Sequence, residues 1–90
     1  MEVSFVKEGT KYVGTFNATG DFNLHIEKNS KSFLYILQRT SSKGQYASLR
    51  EASFSNAEEI IEFDYSASVY PKSIKIECSA EPIMCDVTFA

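Results

Sequence analysis

Apolar and polar residues alternate along most of this chain with a period of two. That spacing sends successive side chains to opposite faces of a β-strand. The alternation is cleanest over residues 21–28, where Phe22, Leu24 and Ile26 share one face and Asn23, His25 and Glu27 the other. One apolar and one polar face is the pattern of an antiparallel strand packed on a core with its back in water. The same period predicts strands over residues 3–7, 11–18, 32–40, 60–65, 72–78 and 83–89, and a strand over 45–49 that resumes at 52–54. In the last strand the inward set is Ile83, Cys85, Val87 and Phe89; in the one before it, Ile74, Ile76 and Cys78. Turn signals separate the strands: Glu8-Gly9-Thr10, Thr19-Gly20, Asn29-Ser30-Lys31, Ser41-Ser42-Lys43-Gly44 and Ser79-Ala80-Glu81-Pro82. Residues 55–59 suit one helical turn capped by Ser55 or Asn56. Residues 66–70 read as a loop or short edge strand, which Pro71 interrupts.

Seven or eight short strands with regular turn signals predict an all-β fold. The expected architecture is a compact antiparallel β-sandwich of jelly-roll or Greek-key type, one domain over residues 1–90. A chain of this length buries roughly 60–65% of its unfolded surface, enough for one modest core. A hydrophobic fraction of 43%, with seven Phe and five Tyr, excludes intrinsic disorder and favours strands.

The strand over residues 32–40 departs from the rule. Phe33, Tyr35 and Leu37 occupy one face, and Leu34 and Ile36 make the other face apolar as well. Contiguous apolar surface on the wet side of a sheet marks an interface. Leu34, Ile36 and Tyr46 are therefore the candidate interface residues of a homo-oligomer, a trimer among the candidates. The competing explanation is that this strand crosses a barrel-like centre, or is covered by the connection over residues 52–60.

The net charge is −3 and the nine basic residues are scattered, so no phosphate-neutralising stripe is visible and nucleic acid is not an expected partner. No run approaches the ~18 apolar residues of a membrane span. The start, Met1-Glu2-Val3-Ser4-Phe5-Val6-Lys7-Glu8, has neither the basic nor the apolar region of a signal peptide. Synthesis and folding in the cytoplasm are expected if Met1 is the native start; secretion follows only if it is not.

The residues that could carry chemistry are few, and no catalytic, metal or cofactor site is expected. Cys78 and Cys85 share the inward face of the last two strands. If those strands form a hairpin that pairs Ile76 with Val87, the same register brings the two cysteines together and a cross-strand disulfide is geometrically open. Without a secretory signal, two reduced core thiols are the favoured reading. His25 has only Glu27 on its own face, two residues away, so a plain exposed histidine outweighs a general base. Glu58, Glu59, Glu62 and Asp64 lack the spacing of a calcium loop and read as a solvated acidic edge. Tyr12, Tyr35 and Tyr65 fall on faces with core character, which leaves Tyr46 and Tyr70 as free aromatics. A glycan-binding or adhesion module needs a shallow groove with an exposed tyrosine beside Asn23 or His25. Asn23, His25 and Tyr70 form the candidate ligand surface.

The phrases Ala18-Thr19-Gly20-Asp21-Phe22-Asn23-Leu24-His25-Ile26-Glu27 and Tyr70-Pro71-Lys72-Ser73-Ile74-Lys75-Ile76, with the closing Val87-Thr88-Phe89-Ala90, resemble small β-proteins encoded by phages and prophages of gut anaerobes. The resemblance spans most of the chain from the second strand onward. It implies a virion accessory or head-fibre-type protein, commonly oligomeric, with other virion proteins as partners. It carries no catalytic residue across.

Overall fold

The computed structural model describes residues 1–28, 33–40, 45–54, 60–66 and 72–89. Of Leu34, Ile36, Thr40, Tyr46, Leu49, Phe54 and Lys72 it describes the backbone alone. The strands that alternation predicts are present: β1 Val6–Glu8, β2 Lys11–Ala18, β3 Phe22–Glu27, β4 Phe33–Thr40, β5 Tyr46–Phe54, β6 Ile60–Tyr65, β7 Lys72–Cys78 and β8 Met84–Phe89. They sort into a five-stranded sheet of order β1-β2-β7-β4-β5 and a three-stranded sheet of order β6-β3-β8. Every pairing is antiparallel. Two layers with a shared apolar interior make the fold an all-β sandwich.

The core draws on both layers, and its members are the residues that period two turns inward. Leu24 and Ile26 of β3, Tyr35 and Leu37 of β4, and Ile74 and Ile76 of β7 are each 0% exposed. Full burial of one such side chain contributes roughly 1.5–3 kcal/mol. Phe5, Tyr12, Phe16, Phe63, Tyr65 and Phe89 close the rim of the core from its periphery.

At its start the chain divides where a single strand over residues 3–7 is expected. Glu2 bridges Asp86, the Val3 amide donates to the Cys85 carbonyl at 2.8 Å, and the Val87 amide donates to the Met1 carbonyl at 2.7 Å. Residues 1–3 thus extend the three-stranded sheet, while β1 joins β2 in the other sheet. The segment between packs inward over Gly14. A Cβ at that position would lie 2.7 Å from Val3 Cγ1 and 3.1 Å from the Ser4 carbonyl oxygen. Gly14 is therefore where the crossing segment touches β2. Gly9 adopts a φ of 63°, first of the two loop residues between Glu8 and Lys11, which is the glycine position of a tight hairpin turn.

The largest further departure comes from pairing between distant strands. The hairpin expected between the last two strands does not form: β7 pairs with β2 and β4, whereas β8 pairs with β3. Residues 79–83 carry the chain across the sandwich instead. Cys78 stands opposite Tyr12 and Tyr35, Cys85 opposite Ile26, and both are buried free thiols. Ile83, expected inside, is 62% exposed, because the chain enters β8 with the neighbouring Pro82 turned inward. β5 runs unbroken, and a register shift against Leu37 and Gln38 absorbs the irregularity that suggested two pieces. The expected turns over residues 29–31 and 41–44, the helical turn over 55–59 and most of the 66–70 loop lie outside the described residues.

Candidate functional site

The outer face of the three-stranded sheet is an in-register array. Asn23 stands between Asp64 of β6 and Thr88 of β8, His25 between Glu62 and Asp86, and Glu27 between Ile60 and Met84. These positions face outward because Phe22, Leu24 and Ile26 fill the inner positions of the same strand. The array is cross-linked by its own side chains. Asn23 Nδ2 donates to Asp64 Oδ1 at 2.9 Å. His25 is held at both ring nitrogens, Nδ1 by Glu62 Oε1 and Nε2 by Glu27 Oε2, the latter at 3.1 Å.

His25 is therefore not the solitary exposed histidine that the sequence suggests. Glu27, two residues along, is a true partner, and Glu62 arrives from β6 through strand pairing. The hydrogen bond to Glu62, then that to Glu27, raises the His25 pKa above its ordinary 6.5. The bond from His25, then one from Asn23, lowers that of Glu62. A histidine clamped between two carboxylates stays protonated further into the neutral range than a free one, and it serves as a charged cross-strand tie. Asp86, on the other flank, lies 3.1 Å from the Met1 amino group.

Glu62 and Asp64 are exposed on β6, an edge strand, in keeping with a solvated acidic edge; Glu58 and Glu59 lie outside the described residues. Among the described residues no group of three or more His, Cys, Asp or Glu side chains gathers closely enough to hold a metal ion. Burial, followed in order of weight by the other thiol for Cys78 and by Asp86 for Cys85, pushes both thiols up to about 12. At neutral pH neither is a nucleophile.

One end of the array opens into a depression of about 310 Å³, where β3 begins and β6 and β8 end. Its floor is aromatic. Phe22 meets Tyr65 with ring centroids 5.0 Å apart and Phe89 at 6.3 Å, and Phe16 closes edge-on from below at 5.2 Å. Its rim is polar, from Asp21 and Ser66, joined by a 3.2 Å hydrogen bond from the Ser66 hydroxyl, to Asn23, Asp64 and Thr88. Of the candidate ligand surface, then, Asn23 borders this hollow and His25 lies one row away on the open face. Tyr70 lies outside the described residues, as do the side chains of the candidate interface residues Leu34, Ile36 and Tyr46. Tyr65, placed on a core face by alternation, does pack on the core and also reaches the hollow. Asp21, Ser66 and Thr88 carried no signal in the sequence, because a turn residue and two strand ends become neighbours only through the sheet.

Among the described residues no helix is long and apolar enough to cross a membrane. No protein-family model, curated protein or solved structure matches the chain.

Proposed function

We propose that this protein is a non-enzymatic structural module that works by presenting sheet surfaces, as an accessory component of a phage or prophage particle, and that it acts as a homo-oligomer or bound to other virion proteins. The reading is supported above all by the register of β4. This strand lies inside the five-stranded sheet, between β7 and β5. Among its described side chains Phe33, Tyr35 and Leu37 are buried. The positions between them pair with polar neighbours: Leu34 with Ser53, and Ile36 with Glu51 and Glu77. Two large aliphatic residues registered among serine and glutamates fit a surface that meets another molecule. The strand order, with β2-β7-β4-β5 in one layer and β8-β3-β6 in the other, fits a jelly-roll path of the chain.

The test is Leu34→Asp, followed by sedimentation and circular dichroism. A folded protein of reduced mass is expected. An unfolded chain would place Leu34 in the core and remove the interface.

A second reading, a carbohydrate-binding or adhesion module, is favoured by the hollow at the end of the three-stranded sheet. Such a module calls for an exposed tyrosine beside Asn23 or His25; Tyr65, half-buried against the core, lines the hollow together with Asn23. Screening against an array of polysaccharides tests it, and silence across the array would dismiss it.

A further inference from the structure

We infer that His25 is a proton-dependent latch on the edge strand β6: its charged form fastens β6 to β3, and loss of its proton loosens that strand alone.

The mechanism follows from counting protons on an imidazole. Both ring nitrogens of His25 face carboxylates, Nδ1 toward Glu62 Oε1 and Nε2 toward Glu27 Oε2. An ionised carboxylate only accepts hydrogen bonds. The charged ring has two N–H donors and satisfies both; the neutral ring has one N–H and one lone pair. Deprotonation therefore sets an acceptor against an acceptor on one side of the ring, whichever tautomer forms. It also removes the positive charge between Glu27 and Glu62, which then repel.

The surroundings supply no replacement. His25 stands in a row across the sheet made by Glu2, Asp86, His25 and Glu62. The other three side chains of that row are carboxylates. Asp86 is engaged by the Met1 amino group at 3.1 Å, and Asp64, the next outward residue of β6, accepts from Asn23. The described outward positions that pair β3 with β6 and β8 contain no lysine or arginine.

Topology directs the effect to β6. This strand ends its sheet and is paired with β3 alone. β8 is paired with β3 on one side and bonded to residues 1–3 on the other. Loosening takes the form of fraying, because Ile61 keeps β6 anchored in the core at 4% exposure. The latch is closed below the raised pKa of His25 and opens as pH rises through it. On the acid side it is lost as pH falls through the lowered pKa of Glu62.

The experiment is amide hydrogen exchange on ¹⁵N-labelled protein from about pH 5 to about pH 9, corrected for the intrinsic pH dependence of exchange, beside the imidazole shifts of His25. As His25 titrates above 6.5, protection of the β6 amides should fall about two- to fivefold while that of β8 holds, the scale of a partly exposed ion pair. His25→Gln should give β6 one level of protection across the range. Glu62→Gln and Glu27→Gln each offer the neutral ring an amide that can donate or accept. Either should flatten the β6 profile with the strand still protected, which a merely structural role for these carboxylates would not do. A wild-type β6 indifferent to pH overturns the latch. So does loss of protection in β6 and β8 together, which makes the effect global, or a β6 profile that persists in both amide variants. A His25 midpoint at or below 6.5 overturns it as well, since the charged pairing would then be absent.

Discussion

The two faces of the three-stranded sheet are built on the same three strands and obey opposite rules. On the inner face Phe22, Leu24 and Ile26 are at most 2% exposed and are joined by Ile61, Cys85 and Val87 in a closed apolar layer. On the outer face Asn23, His25 and Glu27 meet Asp64, Glu62 and Asp86, and contact is made by hydrogen bonds and charge in partial solvent. The inner face carries stability, where each lost methylene is felt. The outer face carries little of it, because exposed ion pairs contribute little. It is consequently the face on which recognition can be built or altered without unfolding the domain.

The sharpest way to break this contrast is a large-to-small change inside. Leu24→Ala should cost about 2–5 kcal/mol in a urea titration, a severe loss for a 90-residue domain. Asp64→Ala, one position beyond Phe63, the partner of Leu24, and therefore on the other face, should leave the same midpoint nearly unmoved. Next in size is Gly14→Ala. The added methyl would meet Val3 Cγ1 at 2.7 Å, with the Ser4 carbonyl and Phe5 ring close behind, and should cost about 1–3 kcal/mol by overpacking. It would loosen the N-terminal crossing before the sheets separate, visible as early hydrogen exchange at Val3.

Arg50→Met should cost about 1 kcal/mol. Its guanidinium donates to the Tyr35 hydroxyl at 2.8 Å and lies 4.5 Å from the Phe63 ring centroid, linking β5 to the facing layer. Methionine keeps the apolar stem and removes both polar contacts, and thermal melts would read the difference.

The smallest effect belongs to His25→Gln, and pH reveals it. Because the folded pKa of His25 is raised, its stabilisation is present below the ordinary 6.5 and fades as pH rises through the raised value. Because that of Glu62 is lowered, its share is present above the ordinary 4.5 and fades as pH falls through the lowered value. The wild-type advantage over His25→Gln should therefore be greatest in mildly acidic solution and shrink toward both extremes, as melting temperatures across the pH range would show. A difference that grows in alkali would contradict the clamp.

How much of this was legible in the chain follows from the same contrast. The inner face could be read directly: period two names Phe22, Leu24, Ile26, Ile74, Ile76, Cys85 and Val87, and each is buried. The all-β sandwich follows from such strands and their turns. Sheet membership could not be read, since it depends on which distant strands meet. Cys78 and Cys85 look like hairpin partners because only seven positions separate them, yet β7 and β8 belong to different layers. The outer site suffers from the same limit. Asn23 and His25 stand out along β3, but Asp64 and Glu62 are 41 and 37 residues away and arrive only through pairing. The hollow's rim combines a turn residue with the ends of two strands, a juxtaposition without any local pattern.

The most direct test of a module that assembles through its sheet surfaces is solution mass by light scattering at micromolar concentration, with and without reductant. The account predicts an oligomer, trimeric or otherwise closed, whose mass does not change with reductant because Cys78 and Cys85 are buried free thiols. A monomer under both conditions would contradict self-assembly, and an oligomer that dissociates in reductant would contradict a non-covalent interface.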